Sequence, residues 1–203
     1  MMRILSTILF IFLLTSCTSN QVTAIKYYDF VQQEVMSEHK DIKNKSKHIH
    51  IGQVDIQGVS DQQAIIQILR DSSVNIANYH YWSEHPKYTL SNSLLRQLAN
   101  KTQGYTVIPS NKKHLELGDF LLEITVTKLA GHFALGSVIE GQWFVYKQTE
   151  NGKVLVSTQF FAVSTELEKS GFSGLIQAHE QSWFKIISSL NETFLAYSGN
   201  KQI

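Results

Sequence analysis

The histidines are the first residues of this chain that could do chemistry. His48 and His50 stand two apart in "HIHIGQVDIQ". On a strand both rings would point the same way, and with His39 they would sketch a metal site. No carboxylate or cysteine stands beside them at a ligand spacing. That favours two solvent-facing rings opposite Ile49 and Ile51, and no metal ligand is assigned. His80 and His85 flank Trp82 and Glu84, and the same reading applies. "GFSGL" at Gly171 falls one residue short of a nucleophile elbow, because Leu175 stands where the last glycine belongs. A helix start capped by Ser173 explains it better. "AHEQSW", around His179, has the first histidine of a metalloprotease helix without the second. There is no phosphate loop and no dinucleotide fingerprint. No spacing joins these residues into a catalytic set, so an enzyme is not expected.

Cysteine occurs once, at Cys17. Arg3 precedes an apolar run from Ile4 to Leu14, broken only by Ser6 and Thr7, and the small residues Thr15 and Ser16 follow. At ~1.5 Å per residue that run reaches roughly 16 Å as a helix, about half of a ~30 Å hydrocarbon core. It fits the apolar core of a signal peptide better than a membrane span. Leu14-Thr15-Ser16-Cys17 resembles the lipobox of bacterial lipoproteins. The resemblance implies cleavage between Ser16 and Cys17, diacylglycerol on the Cys17 sulfur and an acyl chain on its new amino group. One acyl chain binds a bilayer marginally, whereas two or three hold almost permanently. Asp after the cysteine would favour the inner membrane. Thr18, in a host of Gram-negative type, points to the outer membrane with the domain facing the periplasm. Beyond the lipid on Cys17, no cofactor is expected.

The elements behind these residues read as one domain. Formal net charge is +1, from 18 basic and 17 acidic residues, so no field for nucleic acid is implied. With Cys17 lipidated no thiol remains for a disulfide, and the core must suffice. Residues 17–23 form a short tether, residues 24–198 the domain and residues 199–203 a tail. "AIKYYDF" reads as a first strand, and Val31 to Lys47, with its lysines, as a surface loop. In "HIHIGQVDIQ" the apolar parity slips at Gly52-Gln53, which a β-bulge would repair. "AIIQIL" and "VNIANYHYW" form a hairpin at "RDSS". Leu90, Leu94, Leu95 and Leu98 mark a first helix that ends near Gly104. "YTVIP" is a strand. "DFLLEITVTKL", "SVIEGQWFVYKQ" and "KVLVSTQFFAVS" form a meander, with Asn151-Gly152 as its hairpin turn. A final helix, Gly171 to Ala196, carries Leu175, Ile176, Trp183, Ile186, Ile187, Leu190 and Phe194 on one face. The class is α+β: two helices on a mainly antiparallel or mixed sheet.

"YHYWSEHPKYTL" stands apart, with three aromatics, a carboxylate and a proline just before a helix. Trp82 is a core or interface anchor. Glu84 caps backbone donors or pairs with a cation, and Pro86 suits the turn into the helix. The segment reads as a rigid strand-to-helix corner or as a contact surface, and both can hold.

Together these stretches resemble the ABC-type transport auxiliary lipoproteins, the family of the paraquat-inducible protein C lipoprotein. "YYDF" is similar to that family's Tyr-Tyr-x-Leu opening strand. "YWSEHPKYTL" is similar to its W-A-[ES]-P-L motif, with Trp82 and Glu84 in place but His85 where the proline belongs and Pro86 one later. "EGQWFVYKQTENGKVLVSTQFF" is similar to its G-x-W-x-L strand and hairpin, with Trp143 as anchor. The last helix is similar too, Phe172 standing for a tyrosine. The resemblance implies a non-enzymatic accessory subunit that supports envelope integrity. Its partners would be a mammalian-cell-entry-domain protein and membrane transporter subunits that move lipid between two membranes, with self-association into a homo-oligomer. Trp82, Glu84, Pro86 and Trp143 are the candidate interaction or structural residues. A stand-alone lipid-binding lipoprotein and an envelope-assembly activator are the alternatives.

Overall fold

The computed structural model describes residues 24–31, 47–102 and 104–199. The expected signal peptide, Cys17 and the tether lie outside them. So do residues 32–46, which hold His39 and most of the Lys40–Lys47 cluster, and residues 200–203. In chain order the elements are β1 (Lys26–Tyr28), β2 (His48–Ile51), β3 (Asp55–Ile56), a 3-10 turn (Gly58–Ser60), β4 (Ala64–Ile68), β5 (Val74–Trp82), α1 (Pro86–Lys101), β6 (Thr106–Pro109), β7 (Phe120–His132), β8 (Gly136–Thr149), β9 (Gly152–Thr165) and α2 (Gly171–Gly199).

The strands form one mixed sheet organised by β7. Along one edge β7 pairs antiparallel with β8 over nearly its whole length. Its other edge is shared in turn by β2, β3 and β4, all parallel to it. β6 flanks β2 in parallel, and β5 flanks β4 antiparallel. β1 is an edge strand parallel to β5, and β9 is an edge strand antiparallel to β8. The expected parity slip is real. From Ile51 to Asp55 the chain takes four steps while its partner β7 takes three, from Leu122 to Thr125. The Gly52 N–H still bonds Leu122 O at 2.9 Å. The extra residue puts Ile49, Ile51, Val54 and Ile56 all in the core.

The β8–β9 hairpin needs one correction. Thr149 pairs with Gly152, so the turn residues are Glu150 and Asn151 rather than Asn151 and Gly152. Only Gly152 of these takes positive φ, at 108°. That is a turn followed by a left-handed glycine, a conformation a Cβ would strain.

Both helices lie where their apolar spacing puts them. Leu90, Leu94 and Leu98 of α1 are fully buried, as are Trp183, Ile187, Leu190 and Phe194 of α2. Trp183 Nε1 donates to Leu90 O at 3.1 Å and fastens one helix to the other. α2 spans ~43 Å at ~1.5 Å per residue. It begins at the end of the sheet that carries the β7–β8 turn, Phe133–Leu135. It finishes at the opposite end, where Phe194 meets Phe120.

Candidate functional site

Three distant stretches of chain converge on β1. Tyr28 and Phe30, two apart, turn inward together. The Tyr28 hydroxyl lies 2.7 Å from His80 Nδ1. The His80 ring stacks on Phe172 with centroids 3.8 Å apart and planes at 15°. Burial, and then the Lys26 charge, push His80 below its ordinary pKa. That favours the neutral ring, whose Nδ1 can accept a hydrogen bond from the Tyr28 hydroxyl. Phe30, buried, meets the Trp82 ring edge-on at 5.7 Å. Trp82 in turn stacks on His179 at 5.9 Å. The backbone follows: the Ser83 N–H donates to Tyr28 O at 2.7 Å, and Ser83 Oγ to Asp29 Oδ2 at 2.9 Å. Glu180 accepts the Val31 N–H. This is a clamp that fixes the first strand to β5 and to α2.

The corner after Trp82 is built differently from expectation. His85, not Glu84, caps α1: its Nδ1 accepts the Lys87 N–H at 3.4 Å, and its Nε2 lies 3.2 Å from Asp61. Pro86 is buried at the first helical position, where its missing N–H costs nothing. Glu84 is half-buried and makes no hydrogen bond or ion pair among the described residues. Trp82 and Trp143 are both buried. Trp143 stacks on Phe161 at 5.7 Å and its Nε1 finds no partner among the described residues. Neither indole is displayed at the surface; each fills the core.

One hydroxyl–imidazole pair escaped the sequence reading. Ser137 Oγ lies 2.8 Å from His179 Nδ1 and 3.0 Å from Ser182 Oγ. All three residues are fully buried. Nucleophile and base stand at working distance, but both are buried, and among the described residues no carboxylate orients the ring. Burial pushes His179 down to about 3. The pair is a neutral link between β8 and α2, beneath Trp82.

The histidines of β2 also differ from expectation. His50 is fully buried and His48 largely so, because β2 lies inside the sheet with both faces covered. The carboxylate absent from their sequence neighbourhood arrives from the start of β7. Asp119 Oδ1 lies 3.2 Å from His48 Nδ1, and Oδ2 lies 3.0 Å from His50 Nε2. Two imidazoles and a carboxylate, with ligand atoms within 4.8 Å of one another, are a donor set zinc accepts. Here, however, Oδ1 also takes the His48 N–H at 2.8 Å and Oδ2 the Glu116 N–H at 3.0 Å. The carboxylate is spent on tying β2 to the turn before β7. Burial pushes Asp119 up, but the Glu116 N–H, the His50 ring, and the His48 N–H and ring together hold it below the usual carboxylate value.

Two measurements follow from these buried groups. The unfolded chain protonates His179 near its ordinary 6.5, whereas the folded chain keeps it neutral to about 3. The unfolded state therefore binds the extra proton, and stability falls as pH falls through that window. Urea denaturation between pH 6.5 and 5, above most carboxylates, should show this loss approaching ~1.4 kcal/mol per pH unit. His179→Leu should flatten that slope; an unchanged slope assigns it elsewhere. Asp119→Ala should cost about 3 kcal/mol at neutral pH, since it strands backbone and ring donors in the core. An unchanged urea midpoint would show that the knot carries no stability.

The comparisons with known proteins concern this same region. The chain resembles a solved structure described only as an uncharacterized protein, at TM-score 0.68 and 19% identity, over 84% of this chain and 98% of that one. It also resembles protein XCC0632 from Xanthomonas campestris, at TM-score 0.60 and 11% identity, over 89% and 98%. At such identities these likenesses speak for the fold alone. No curated protein matches the chain. The model of the ABC-type transport auxiliary lipoprotein component matches residues 28–189, from the Tyr28 end of the clamp to the last turns of α2. The chain belongs to the ABC-type transport auxiliary lipoprotein family.

Proposed function

We propose that this chain is a non-enzymatic lipoprotein, held in the inner leaflet of the outer membrane by lipid on Cys17. In this reading it is an accessory subunit of a system in which a mammalian-cell-entry-domain protein and its transporter partners move lipid between the envelope membranes. The observation that carries the reading is the family match over residues 28–189, which begins eleven residues after the cysteine of Leu14-Thr15-Ser16-Cys17. The clamp supports it, because it fastens to the body the strand that follows the tether. No helix among the described residues is long and apolar enough to cross a membrane. The sealed Ser137–His179 pair favours a subunit over an enzyme. Self-association fits the edge of β9, fourteen residues long and unpaired among the described residues, on which Phe160 is 77% exposed. An unpaired strand edge of that length is a template for another chain. A stand-alone lipid carrier would need an enclosed apolar chamber. The cavity of about 740 Å³ beside the β7–β8 turn is instead a surface groove.

The test begins with Cys17→Ala. The variant should leave the membrane fraction while its circular dichroism stays that of the folded domain. Retention of a processed, unlipidated protein at the membrane would refute the anchor. Purification of the native protein in mild detergent, with mass spectrometry of the proteins recovered, tests the partnership. A mammalian-cell-entry-domain protein is the expected companion; a cell-wall synthase in its place would refute the transport reading.

A further inference from the structure

The end of the domain with the Phe133–Leu135 turn carries a continuous apolar surface. Leu69, Val74, Phe133, Leu135 and Leu167 are each 37–49% exposed. They come from three separate loops that the sheet brings together. The Phe133 N–H bonds Ile68 O at 3.1 Å. The Arg70 guanidinium lies 5.0 Å over the Phe133 ring. Leu167 packs on Gly136, against which a Cβ would stand 2.7 Å from its Cδ1. Leu69, Phe133 and Leu167 line the groove of about 740 Å³. Charge there is sparse and mixed: Arg70 lies over Phe133, Glu166 lines the groove, and Asp71 is turned to its own Ser73.

Strand direction says what covers it. β1 runs parallel to β5, with Lys26 opposite His80 and Tyr28 opposite Trp82. Going back from Lys26, the chain therefore points toward Val74, the start of β5. Val74 pairs with Ile68, and Ile68 with His132, the last residue of β7. Ala24 and Ile25, the first described residues, therefore lie on the side of Lys26 nearer the Phe133–Leu135 end. Six residues separate Cys17 from Ala24, and seven steps at ~3.5 Å let the anchor lie no more than about 25 Å from Ala24. The two ends of the domain stand ~43 Å apart along α2. At the opposite end Leu117 shares a pocket with Lys47, Lys147, Glu150 and Asn151, and the exposed Val154 and Leu155 lie near the start of β9, beside Lys147, rather than joining a groove.

We propose that the Phe133–Leu135 end is a membrane-contact face. Phe133, Leu135 and Leu69 would sit among the headgroups of the phospholipid bilayer that holds the anchor, and Arg70 would reach their phosphates. The inference rests on the Cys17 lipid proposed above and adds the face and its residues. An amphipathic surface of this kind gains affinity from apolar contact and from cations at the interface. It supplements the acyl chains and fixes the tilt of the domain.

The test places the photo-crosslinking residue p-benzoylphenylalanine at Leu135, or at Asn151 as the distal control, in the full chain in its native membranes. After irradiation and digestion, the peptide bearing position 135 should carry phospholipid mass and the peptide bearing position 151 should not. Loss of any lipid adduct at 135 overturns the proposal. So does a 135 adduct made only with a second copy or with another protein, and so do equal lipid adducts at both positions. The Cys17 peptide from the same digest reports the anchor independently. If it carries no lipid the anchor reading fails, while a phospholipid adduct confined to position 135 still supports the face.

Discussion

A strand of three residues has to connect this domain to whatever precedes it. So short a strand has little hydrogen bonding of its own, and among the described residues it is bonded on one side only. What secures it is aromatic packing from elsewhere: Tyr28 to His80 and Phe172, Phe30 to Trp82, and Trp82 to His179. The rest of the architecture can be read as meeting that requirement. β5 must run long enough to carry His80 and Trp82 past β1. α2 must begin at the Phe133–Leu135 end of the sheet to deliver Phe172 and then His179. β8 must offer Ser137 beneath the His179 ring. The family resemblance attached to "YYDF", to the tryptophan motif and to the start of the last helix, and these are the three stretches that meet.

Much of this was legible in the sequence. Heptad-like leucines marked α1, and the spine of α2 was read residue by residue, because a helix that covers a sheet must keep one apolar face. The parity slip at Gly52 revealed a bulge, because strand periodicity leaves no other way to bury Ile49, Ile51, Val54 and Ile56 together. What could not be read is what depends on long-range register. Asp119 lies 69 residues from His50, and only the β2–β7 pairing brings them together. His48 and His50 looked solvent-facing because "HIHI" alternates like a half-exposed strand, whereas the second face of β2 is covered too and its histidines are paired with Asp119 instead of water. Ser137 and His179 are joined only by helix-on-sheet packing. His85 took the capping role expected of Glu84 because Pro86, one place later than in the family motif, shifted the helix start with it.

The buried polar groups share a character that bears on function. Asp119 is saturated by donors, His179 is held neutral, and Ser137 is enclosed. Each spends its chemistry inside the fold, joining strand to strand or strand to helix. The surfaces left for other molecules are of another kind: the open edge of β9 and the apolar rim around Phe133. That distribution suits a chain whose work is to hold its position beside a membrane and beside partners, and the auxiliary lipoprotein family gives that role a setting.

The central claim is that the motif aromatics fasten the first strand rather than face a partner. Hydrogen exchange at the Ser83 amide, which donates to Tyr28 O, reports that fastening most directly. In Phe30→Ala, measured on the full chain, the account predicts that protection of Ser83 falls sharply while the amides of β7 and β8 keep theirs. Unchanged protection at Ser83 would mean that β1 is held by its backbone alone, and the clamp would have to be abandoned.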